Sequence, residues 1–127
     1  MTSTGTGWRV TVVSSTAMTL RRQYGRPSLL LGINGFWGTL HADPGQLRLA
    51  RGEKTVALIS DIEDIGTDLA DNGYGTWLPS LIVTAFGAKL PFMPFERRGL
   101  FPHTVTDPSA IAAEARRIVF GEPGRRG

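Results

Sequence analysis

From Phe36 to Ile65 the chain reads FWGTLHADPGQLRLARGEKTVALISDIEDI, and this stretch constrains the fold most tightly. Two turn signals interrupt it, Asp43-Pro44-Gly45 and Gly52-Glu53, and the segments between them alternate or run apolar. Leu47 and Leu49 point one way and Arg48 the other; beyond the second turn, Val56 and Leu58 share one face and Ala57 and Ile59 the other. A side-chain period of two bounded by Pro and Gly is the mark of strands joined by tight turns. The stretch therefore predicts an antiparallel meander of three short strands, punctuated by Ser60-Asp61-Ile62-Glu63-Asp64-Ile65.

The same reasoning extends outward. Residues 1–7 are rich in Thr, Ser and Gly and are expected to form a mobile tail. Trp8 to Ser14 is β-branched and alternating, a first strand; Ser14-Ser15-Thr16 reads as a turn and Ala17 to Gln23 as a second strand. Leu29 to Ile33 is a buried-strand candidate closed by Asn34-Gly35, a hairpin dipeptide that would pair it directly with Phe36–Ala42. After the meander, Asp64 to Asp71 is expected to make one or two helical turns, and Asn72-Gly73-Tyr74-Gly75 a loop. Leu78 to Phe86 is strongly apolar, and Gly87-Ala88 turns it toward Lys89–Met93, which Pro91 and Pro94 should confine to an edge or an irregular loop. Residues 94–106 lack periodicity and are expected to form a loop.

A helix ends the chain. Asp107 suits an N-cap and Pro108 the first helical position. Ile111, Ala115 and Ile118, flanked by Ala112 and Val119, make an apolar stripe, while Glu114, Arg116 and Arg117 face water. Gly121 and Pro123 stop the helix, and the last residues form a basic tail, 121–127. The predicted fold is mainly β: a small antiparallel β-barrel or bent sandwich of about seven strands with a C-terminal capping α-helix. One domain, 8–120, accounts for it, since 127 residues bury roughly two-thirds of their unfolded surface without a metal or disulfide staple.

Within the meander, Gly38-Thr39-Leu40, Gln46-Leu47-Arg48-Leu49 and Val56-Ala57-Leu58-Ile59, followed by Asp61-Ile62 and Ile65, resemble the strand core of bacterial pleckstrin-homology-like domains. The resemblance covers residues 36–65 and, in outline, the terminal helix. It implies a strand barrel closed by that helix and a role in binding. The uncharged Ser14-Ser15-Thr16 turn departs from the basic first-hairpin loop of the family's lipid-binding members, so no specific phosphoinositide site is implied.

Several constellations bear on chemistry. The absence of cysteine excludes thiol catalysis, disulfides and cysteine-ligated zinc. The acidic run Asp61, Glu63, Asp64, Asp68 and Asp71 lacks the alternating ligands, central glycine and closing glutamate of a calcium loop. His41 and His103 have no zinc spacing, and Ser60, Ser80, Asp43 and Asp107 stand in no nucleophile elbow. Glycines 32, 35 and 38 feed a strand rather than a helix N-terminus, so they read as hairpin glycines. No catalytic, metal or cofactor residue is assigned, and no cofactor is expected.

Twelve of the fourteen basic residues are arginine, but a net charge of +3 is too small to argue for specific nucleic acid. Arg48, Arg51 and Lys54 lie within seven residues on one hairpin and are the best candidates for an anionic contact, with Glu53 leaving them a local excess of two. Trp37, Trp77 and Phe86 are the candidate lining of a pocket, should a barrel be hollow. The expected function is a non-enzymatic binding or scaffolding module recognising a protein partner or an anionic membrane surface. The alternatives are an apolar-ligand carrier or an enzyme with its pocket inside the barrel, and a structural subunit of a larger assembly, homo-oligomers included. No apolar run reaches the length of a membrane span, so a cytoplasmic protein is expected, with peripheral membrane contact left open.

Overall fold

The meander forms as the alternation requires. The computed structural model describes residues 6–24, 36–98 and 101–121. Within them, β2 (Phe36–Asp43), β3 (Gln46–Arg51) and β4 (Lys54–Ile59) run antiparallel in succession. Pro44 and Gly45 form the first turn, with Gly45 at φ 81°, and Gly52 carries a positive φ of 65° at the first central position of the second. Both turns thus place glycine where a side chain would be strained.

Leu47 and Leu49 are fully buried and Arg48 lies on the opposite face. A register shift between Leu49 and Ala50 puts Ala57 and Thr55 opposite consecutive β3 residues. Val56, the extra residue of this bulge, is buried although Leu58, its expected face-mate, is 46% exposed. Leu29–Ile33 and the Asn34-Gly35 turn lie outside the described residues. From Thr39 to Ala42, β2 is paired on one side by β3 and on the other by β1 (Thr6–Val12).

Among the described residues eight strands form, close to the expected seven, in the order β4-β3-β2-β1-β7-β6-β5, where β5 is Ile62–Asp71, β6 Trp77–Ala85 and β7 Ala88–Arg98, with β8 (Phe101–Thr104) against β7. The sheet bends into a sandwich and is not closed; β4 and β5 are its edges. Leu40, Leu49 and Ile59 from one half meet Ile65, Leu81, Leu90 and Phe92 from the other in the main buried core, and Val13, Ala70 and Met93 form a second, smaller cluster.

Several expectations are corrected. Thr6 and Gly7 belong to β1 and not to a tail. Ser14–Tyr24 is a helix, α1, not a turn and a strand. Val13, Ala17 and Leu20 recur at helical spacing, and packing selects that period: Ala17 and Leu20 are fully buried while Met18 is 44% exposed. Thr16 anchors α1 by donating from Oγ1 to the Pro91 carbonyl at 3.0 Å.

Asp64–Asp71 is not helical but part of β5 (Ile62–Asp71), because a long ladder with β6 (Trp77–Ala85) overrides its weak local preference. The segment containing both prolines is not an edge. It is β7 (Ala88–Arg98), an interior strand that pairs β6 up to Phe92, β1 at Met93 and Pro94, and β8 from Phe95. Pro91 is paired with β6 alone and Pro94 with β1 alone, so each has one side without a ladder among the described residues, where a missing N–H is tolerated. Residues 101–104, expected to be loop, form β8.

The terminal helix, α2 (Ser109–Phe120), is where the sequence places it. Its N-cap is Pro108 rather than Asp107, whose Oδ1 accepts the Ser109 N–H at 3.1 Å just ahead of the first turn, and Gly121 ends the helix at φ 67°. Its buried line is Ala112, Ala115 and Val119; Ile111 and Ile118 are only half-buried. The Gly45 N–H donates to the Val119 carbonyl at 2.9 Å, and Arg116 Nη1 bonds the Asp64 carboxylate and the Ile65 carbonyl. The helix thereby ties the β2–β3 turn to edge strand β5. Arg116 does not simply face water, as its polarity suggests. It also lies over the Phe120 ring, 5.4 Å from its centroid.

Candidate functional site

On the outer face of β1 and β2 the alternation that buries Leu40 and Ala42 turns Trp37, Thr39 and His41 outward. Arg9 stands opposite Thr39, and Arg48 opposite His41, so two arginines join the same surface from β1 and β3. Trp37, 55% exposed, packs on Phe95 of β7 with ring centroids 5.4 Å apart at 46°. Around this pair lies an open groove of about 370 Å³, lined by Arg9, Trp37, Gly38, Thr39, Gly52 and Phe95.

The groove borders the basic hairpin. Arg51 and Lys54 face each other across the Gly52-Glu53 turn, both exposed. Arg48 is not an independent cation, because its Nε lies 3.6 Å from Asp43 Oδ2. Arg9, Arg48, Arg51 and Lys54 set against Asp43 and Glu53 leave this face an excess of two positive charges. His41 lies over Gly7, where an added Cβ would come within 2.7 Å of Nδ1. Burial, aided by the Arg48 charge and opposed by Asp43, holds its pKa below the ordinary histidine value. A neutral imidazole beside arginines is thus part of the surface at neutral pH.

The three aromatics singled out in the sequence are not brought together. Trp37 is in the groove. Phe86 occupies the β6–β7 turn with a positive φ of 39° and packs edge-on against Tyr24 at 5.8 Å. Trp77 stands at the far end of β6, 62% exposed.

That end is a second feature. On one face the β5–β6 hairpin outruns the core, passing from Ile65 and Leu81, both buried, to Leu69, Pro79 and Trp77, while its other face stays packed through Ala70, Leu78 and Ile82 against Val13 and Met93. Leu69 is 55% and the apical Tyr74 91% exposed. The connecting loop is tied by its own side chains. Asp71 Oδ1 accepts from Gly73 and Gly75, and Asn72 Oδ1 from Tyr74 and Thr76, at 2.8–3.3 Å. The acidic run lies along this hairpin: Asp64 binds Arg116, Asp68 accepts its neighbour's N–H, and Asp71 holds the loop.

Of the nominal triad members, Ser80 is fully buried and donates to the Leu78 carbonyl, Asp43 pairs with Arg48, and Asp107 accepts from the Ser109 N–H. Arg9 and Phe95 were not singled out from the sequence. Alternation alone could have placed Arg9 outward, between inward Trp8 and Val10, whereas nothing local announces that Phe95 meets Trp37. Among the described residues no helix is long and apolar enough to cross a membrane. No protein-family model, no curated protein and no solved structure matches this chain.

Proposed function

We propose that the protein is a non-enzymatic binding module that recognises the acidic surface of a protein partner through the outer face of β1, β2 and β3. One observation carries the reading: an exposed tryptophan, stacked on Phe95 and flanked by Arg9, lines an open groove beside the basic β3–β4 hairpin. Trp and Arg are the side chains that dominate protein recognition energetics, because each combines large contact area with directed polar contacts. The described lining offers a guanidinium and two aromatic rings, the contact chemistry of a recognition surface. Filled inner faces, with Leu40, Leu49, Leu90 and Phe92 fully buried, favour an outer site over a ligand pocket inside the sandwich.

Titration with a poly(Glu-Tyr) peptide tests this. Binding is expected to be weak and to decline as salt rises. The Arg9→Glu/Lys54→Glu double variant, at two exposed positions, should lose it while keeping the wild-type unfolding midpoint. Co-sedimentation with phosphatidylserine vesicles in place of peptide binding would move the reading to an anionic membrane surface. Binding of neither would overturn it.

A further inference from the structure

We propose that the occupant of the groove is the β5–β6 hairpin of a second copy of this chain; this rests on the reading of the groove as an acceptor of acidic, aromatic surfaces. Residues 62–88 contain Glu63, Asp64, Asp68 and Asp71 and no basic side chain. Against a whole-chain charge of +3, those four carboxylates leave +7 for the remaining residues. The hairpin thus carries only acidic charge; Asp64 at its base is paired with Arg116, which leaves Asp68 and Asp71 as the negative groups toward its end.

The same hairpin carries Leu69, Trp77 and Tyr74, which extend the core-facing side of the ribbon beyond anything that covers it among the described residues. The Asp71 and Asn72 bonds fix the loop before any encounter, so little conformational freedom is lost on docking. A negative ribbon is repelled by an anionic bilayer. Its complement is an aromatic-lined surface of positive charge, and the outer face of β1–β3 with Trp37, Phe95 and Arg9 supplies both properties.

Hairpin and groove are different surfaces, so the contact is head-to-tail, and each copy keeps one unused hairpin or groove for the next. The contact of one hairpin tip is small, and the association is correspondingly weak.

Sedimentation of the full chain up to about 1 mM tests the proposal. The weight-average mass should rise above 13.8 kDa with concentration and fall back with added salt. A hairpin variant, Tyr74→Ser/Trp77→Ser, and a groove variant, Arg9→Glu/Trp37→Ala, should each stay monomeric. Mixed at equal concentrations they should form one-to-one dimers and nothing larger, since the hairpin variant retains its groove and the groove variant its hairpin. Arg9→Glu alone, at an exposed position, repeats the groove arm should the double variant fold poorly.

A wild type that stays monomeric overturns the proposal and leaves the hairpin to a different protein. Association that survives the hairpin substitutions, or variants that fail to complement, overturns it also. If the wild type is monomeric yet still binds poly(Glu-Tyr), the groove reading stands and the self-association alone falls.

Discussion

Replacing Arg116 with Ala measures how firmly α2 is held to edge strand β5. The sequence marks Arg116 as a solvated position whose loss should cost little. In the structure its guanidinium reaches the Asp64 carboxylate and the Ile65 carbonyl and covers the Phe120 ring. The ion pair is partly exposed, with side-chain exposures of 37% and 61%, so it contributes about 0.5 kcal/mol. A hydrogen bond from a charged donor to a half-buried carbonyl adds about 1.5 kcal/mol, and the ring contact about 0.5 kcal/mol.

Arg116→Ala should therefore cost about 2 kcal/mol, read as a lower urea midpoint at unchanged slope. In a double-mutant cycle with Asp64→Ala the coupling should be only about 0.5 kcal/mol, because most of the loss belongs to the carbonyl. Arg116→Lys should recover less than half, since an ammonium lacks the fork that spans both acceptors. A cost for Arg116→Ala below about 0.5 kcal/mol would refute the account of α2 as tied to β5 through this side chain.

Val119→Ala removes two buried methyl groups and should cost about 2–3 kcal/mol in the same titration, whereas Ile118→Ala, at a half-buried position, should cost about 1 kcal/mol. This reverses the sequence expectation, which places Ile118 in the buried stripe. Thr16→Val leaves the Pro91 carbonyl without its partner and should cost about 1 kcal/mol, with α1 amides exchanging faster than those of β6. His41 is held below its ordinary pKa in the folded state, so the unfolded chain binds the proton more readily. Stability should then be intact above about pH 6.5 and decline as pH falls through that value toward the lower folded pKa. An NMR titration of the His41 ring with its midpoint at or above the ordinary value would contradict this.

What was legible in the chain follows from where the deciding contacts lie. The β2–β3–β4 meander and α2 have strong periods with turn or cap residues at both ends, so local chemistry and burial agree. At Ala17–Gln23 they compete: Ala17, Met18 and Leu20 satisfy both a strand and a helix period, and only packing beside β7 decides between them. Asp64–Asp71 has little preference of its own and becomes a strand because β6 is there to pair with. The groove was half legible. Trp37 and the hairpin cations were visible, but Arg9, Gly52 and Phe95 join them only through the strand order. Proline placed in β7 misled for a related reason, since a strand that changes partners can carry it without being an edge.

That change of partners has a consequence for synthesis. Val10 of β1 pairs with Pro94 of β7, so β1 waits for the synthesis of more than eighty further residues before its second edge is filled. A ribosome delivering about 5–20 residues per second holds β1 and β2 as a half-finished sheet for several seconds. Local pairings such as β2–β3–β4 and β5–β6 can form during that wait. The joining of the two halves belongs to a late, non-local step, and such steps are the slow ones. A nascent chain halted before β7 emerges would show β1 with an open edge, the condition in which chaperone contact is most needed.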